Sequence, residues 1–130
     1  MKIHCVLSVL LFSFATIAGE PISVRVDHAK AVENSAIGQA YQKELWRSIG
    51  QDMANLMRGC FPQEAKMDAK SFTFVADVRA SGTLGRVRIE PSTPMTRCFS
   101  AGFAKFAFPK PPSDYEKTGM PIVIQMKITE

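Results

Sequence analysis

The chain has few residues suited to chemistry. Its 130 residues include two histidines, three cysteines and one tryptophan. His4 lies in an apolar N-terminal segment, which leaves His28 alone. A Ser-His-Asp or Cys-His arrangement then has no second partner to draw on. One histidine and two oxidised cysteines make no zinc site. There is no C-x-x-C pair of the redox type and no Gly-rich phosphate loop. Asp77, Glu90 and Asp114 could in principle form an acid pair, but their strand and loop positions read as solvated surface charge. The sequence therefore predicts a protein that is not an enzyme and takes no cofactor or metal. A formal charge of +4, scattered along the chain, is too small to argue for nucleic acid. Repeats and low-complexity linkers are also missing, and the length suits one domain.

The N-terminus has a definite pattern. Met1-Lys2 is a short basic start, residues 3–18 carry no Asp, Glu, Lys or Arg, and Val6-Leu7-Ser8-Val9-Leu10-Leu11-Phe12 is strongly apolar. Small residues at Thr16 and Ala18 precede Gly19-Glu20-Pro21. That order predicts a secretory signal peptide over residues 1–18, cut after Ala18 or after Gly19. The alternative is a retained membrane anchor, although the apolar run is short for a bilayer. Cys5 lies too early for a lipoprotein site. Losing Lys2 with this segment lowers the formal charge to +3. The expected location is periplasmic or secreted.

Cys60 and Cys98 are then the remaining cysteines, and in a small exported domain they read as a disulfide. Two free thiols or an intermolecular bridge are the rival readings. The intramolecular bond would close a loop of about forty residues, for roughly 3–4 kcal/mol.

Hydrophobic periodicity orders the rest. In residues 19–34, Ile22, Val24 and Val26 alternate with Ser23, Arg25 and Asp27, which suits a short edge strand or an N-terminal arm. Asn34 or Ser35 can cap a helix carrying Ile37, Tyr41, Leu45, Ile49, Met53 and Met57 on one face and stopping at Gly59. Phe72, Phe74, Ala76 and Val78 mark a half-buried strand; Ala80-Ser81-Gly82-Thr83 is a hairpin turn; Leu84, Val87 and Ile89 continue a second strand. Ser92 or Thr93 caps a second helix with Pro94 in its first turn, bearing Met95, Phe99, Gly102, Phe103 and Phe106. Pro109 to Pro112 end it. A last strand has Ile122, Ile124, Met126 and Ile128 on one face and Val123, Gln125 and Lys127 on the other. The expected fold is α+β: a small antiparallel three-stranded sheet in the order helix-strand-strand-helix-strand, with two helices on one face.

This order, with Gly82-Thr83-Leu84-Gly85-Arg86-Val87-Arg88-Ile89, the helix over residues 95–107, Phe108-Pro109-Lys110-Pro111-Pro112 and the closing strand, resembles the C-terminal domains of TonB and TolA. TolA looks closer, through a long first helix, a disulfide involving the second helix, and a Pro-Lys-Pro-Pro-Ser stretch matched by residues 109–113. The likeness covers residues 35–130. It departs from full transducers in showing a removable leader and no long spacer.

The resemblance implies a partner-binding module of the Gram-negative envelope, without cofactor or nucleic acid, as a monomer or a strand-exchanged dimer. It implies that the last strand is a binding edge, here Ile122, Val123, Ile124, Gln125, Met126 and Lys127, with Val123, Gln125 and Lys127 facing away from the helices. The edge could equally be a protected core strand. The alternative function is a secreted inhibitor or accessory subunit of an envelope machine. It would use a helix face or the Pro109, Lys110, Pro111, Pro112 and Tyr115 segment.

Overall fold

The computed structural model describes residues 19–68 and 70–128. The expected signal peptide at 1–18 lies outside them. The elements are α1 (Ile22–Asn34), α2 (Ala36–Cys60), β1 (Ser71–Val78), β2 (Leu84–Glu90), α3 (Pro94–Phe103), a 3₁₀ turn (Ser113–Tyr115) and β3 (Met120–Lys127). Among the described residues no helix is long and apolar enough to cross a membrane.

The antiparallel sheet has the order β2-β1-β3, so β1 is central and both others are edges. Phe72, Phe74, Ala76 and Val78 of β1 turn their side chains to the inner face. There they meet Tyr41, Leu45, Ile49 and Met53 of α2 and Phe99 and Phe103 of α3. Phe74 sits edge-on to Phe99 and Phe103, with centroids 5.8 and 5.0 Å away. Two helices therefore cover one face, as the periodicity predicts.

Local chemistry sets the helix ends. The Ser35 hydroxyl accepts from Gly38 N–H at 3.0 Å and starts α2. Gly59 does not stop this helix: it continues to Cys60, and Phe61 N–H closes it on Met57 O. Stacking of Phe61 on Phe72 and the Cys60–Cys98 bond hold that last turn down. Thr93 caps α3 in a reciprocal pair with Thr96, Pro94 follows, and Asp68 accepts from Thr93 Oγ1 at 2.7 Å. The helix ends at Phe103 instead of reaching residue 107, because Phe108 must return to the hairpin, where its N–H meets Gly82 O.

The segment 19–34 departs from expectation. It is neither a strand nor a loose arm: Ile22–Asn34 is the helix α1. The alternation of Ile22, Val24 and Val26 is a local preference. Burial at three-residue spacing, Val26-Ala29-Val32, overrides it, while Val24 stays exposed. The helix packs on β3 and β1. Val75 and Asp77, on the outer face of β1, are consequently buried. The sheet thus lies between α1 and the α2–α3 pair. Val32 joins the inner core beside Tyr41 and Leu45, so the chain passes from outer to inner face around β3. At this corner Gly38 has no room for a Cβ, which would run into Val32 O.

Candidate partner-binding edge

Strand alternation determines what β3 offers. Ile128 N–H donates to Lys70 O at 2.6 Å, which sets the hydrogen-bonded phase of the β1–β3 ladder. In an antiparallel pair, hydrogen-bonded and non-bonded positions alternate. Met120, Ile122, Ile124 and Met126 therefore spend their backbone groups on β1. Pro121, Val123, Gln125 and Lys127 direct theirs to the open edge. Pro121 has no N–H to offer, as suits a proline on an edge strand. Val123, Gln125 and Lys127 are the outward donors.

Burial divides this edge in two. Met120, Pro121 and Ile122 are buried and Val123 is half-buried, where α1 passes around the strand. Gln125 and Lys127 are exposed and Met126 is half-buried. The expectation that Val123, Gln125 and Lys127 all face away from helices is corrected: α1 covers part of that outer face. What remains open is a groove of about 660 Å³ floored by Thr73 and Gln125 and walled by Ile22, Val26 and Pro91. Ile122 and Ile124 are core side chains.

The proline segment is a strap. Tyr41 Oη donates to Pro109 O at 2.9 Å, Pro111 is buried, and Tyr115 packs half-buried against the core. Lys110 is exposed and pairs with Glu116 at 3.3 Å. This strap follows Phe108, which docks at the hairpin end of the sheet, whereas Gln125 and Lys127 lie at the opposite end. The structure does not bring the two predicted surfaces together.

The remaining candidates resolve differently. Cys60 and Cys98 are bonded, Sγ–Sγ 2.08 Å, tying the end of α2 to the middle of α3. His28 is exposed on α1. Asp77 is not solvated: α1 buries it, and it accepts from Arg86 Nε at 2.5 Å. That hydrogen bond, then the Asp77 charge, raises the Arg86 pKa. Burial, then the nearby Arg86 charge, lowers that of Arg25. Glu90 pairs with Arg88 at 2.6 Å, and Arg88 also reaches Glu20 O at 3.0 Å, holding the start of α1 over β2. Among the described residues no cluster of three His, Cys, Asp or Glu could hold a metal. Sequence reasoning missed Arg86 and the groove wall of Ile22 and Val26. The signals were Gly85 inside a strand, which marks a bulge, and the Val26-Ala29-Val32 spacing.

Comparison with protein-family models, curated proteins and solved structures finds no match to this chain.

Proposed function

We propose that this chain is a protein-binding module of the Gram-negative cell envelope, resembling the partner-binding domain of TolA more than that of TonB. It takes an extended partner segment along β3 and catalyses nothing itself. The observation that carries this reading is the exposed end of β3, where Gln125 and Lys127 point backbone donors and acceptors outward from an edge strand. Such an edge recruits a strand through main-chain hydrogen bonds, with alternate side chains setting specificity. The Cys60–Cys98 bond supports an oxidising compartment, and the predicted leader supports export.

The alternation supplies the test. Gln125→Pro removes an outward N–H and leaves the β1–β3 ladder donors in place. Gln125→Ala keeps that N–H and loses only the side chain. In pull-downs from envelope extract, Gln125→Pro should retain at least tenfold less of the partners bound by wild type, and Gln125→Ala should retain them. Equal retention by the proline variant, with an unchanged melting temperature, would remove strand addition at this edge.

A further inference from the structure

At the hairpin end of the sheet, away from Gln125 and Lys127, three uncommon backbone features meet around one pocket of about 410 Å³. The first is Arg86, whose φ of 47° makes it the one non-glycine residue with positive φ among the described residues. Such a conformation persists only where surrounding structure holds it. It sits where the β1–β2 register shifts between Val75 and Asp77, and a bulge of this kind re-aims a side chain. The second is Gly85. A Cβ there would lie 2.6 Å from Arg79 Nε, so the missing side chain seats the Arg79 guanidinium against the strand. The third is Gly119, with φ 78°, whose added Cβ would come 2.9 Å from Asp77 Cβ. It brings the loop carrying Lys117 against the same pocket.

Charge within the pocket is unbalanced. Asp77 and Glu116 both line it, Asp77 satisfied by Arg86 and Glu116 by Lys110, which reaches it at 3.3 Å from outside the pocket. Arg79 and Lys117 line the pocket and make no ion pair among the described residues. Two uncompensated cations, one a planar fork suited to bidentate oxyanion recognition, match a group of roughly two negative charges and three acceptor oxygens.

We propose that this pocket binds a phosphate group, either free phosphate or the monoester headgroup of a lipid. Arg79 and Lys117 hold the oxygens, and the Asp77–Arg86 pair props the wall. A carboxylate carries half the charge and binds less well. The site is independent of the β3 edge.

The test is amide and arginine side-chain NMR of the protein titrated with sodium phosphate against sodium acetate at equal ionic strength and pH 7. Phosphate should give saturable shifts at Gly85, Arg86, Gly119 and Arg79 Nε–H, with acetate weaker. Arg79→Gln and Lys117→Gln, both at exposed positions, should each weaken phosphate binding about tenfold. A parallel arm sediments the protein with phosphatidylcholine vesicles with and without phosphatidic acid. Retention that depends on both phosphatidic acid and Arg79 assigns the group to a lipid headgroup. Saturation by free phosphate without vesicle retention assigns a soluble one. Shifts that rise linearly with both salts and persist in Arg79→Gln, with no vesicle retention, would leave Arg79 a packing residue and overturn the proposal.

Discussion

Opening the Cys60–Cys98 bond should loosen the end of the sheet that carries the free edge. The cysteines are 38 residues apart, and the chain-entropy relation assigns a loop of that size about 4 kcal/mol at 25 °C. Unfolding entropy near the midpoint is about 2.1 cal/mol/K per residue. For about 110 described residues the loss corresponds to a fall in Tm of roughly 17 °C. The bond sits beside Phe61, which stacks on Phe72, the β1 residue registered with Met126. Calorimetry on oxidised protein and on a Cys60→Ala/Cys98→Ala variant measures the effect. Amide exchange should show Met126 losing protection more than Met120. A Tm difference under about 3 °C would refute the argument that the bond constrains the unfolded chain.

Three smaller predictions rest on single contacts. Burial pushes the Tyr41 phenol up to about 12. The unfolded phenol ionises near 10, so this contribution to stability is complete below pH 10 and is lost as pH rises from 10 towards 12. Tyr41→Phe should lack that alkaline loss in melts read by circular dichroism, while losing about 1 kcal/mol at pH 7 with the Pro109 hydrogen bond. Gly38→Ala should destabilise by about 2 kcal/mol or more in urea melts, because its methyl meets Val32 O at the α1–α2 corner. Thr93→Ala should lose about 1 kcal/mol by the same assay, from the α3 cap.

What could be read from sequence was whatever one element determines alone. The α2 stripe of Tyr41, Leu45, Ile49 and Met53, the Gly82 hairpin and the Thr93-Pro94 helix start each carry their own local signal, and all three stand. The disulfide followed from counting. The α1 helix did not show itself because its β-branched alternation favours extended chain, and only burial of Val26, Ala29 and Val32 against the sheet makes it helical. The same helix decides the site. Without α1, all of Val123, Gln125 and Lys127 would be open. With it, the edge is open only past Val123. Arg86 was equally hidden, since its aim depends on a bulge between two strands and not on its own neighbours.

The proposed binding mode has β3 accept a partner strand through its outward backbone groups. Amide hydrogen exchange, with and without a partner recovered in the pull-down, tests it residue by residue. New protection is expected at Gln125 and Lys127, with little change at Ile124 and Met126, whose donors already serve β1. Unchanged exchange at Gln125 and Lys127, with protection instead on the exposed face of α2 around Lys43 and Arg47, would contradict it.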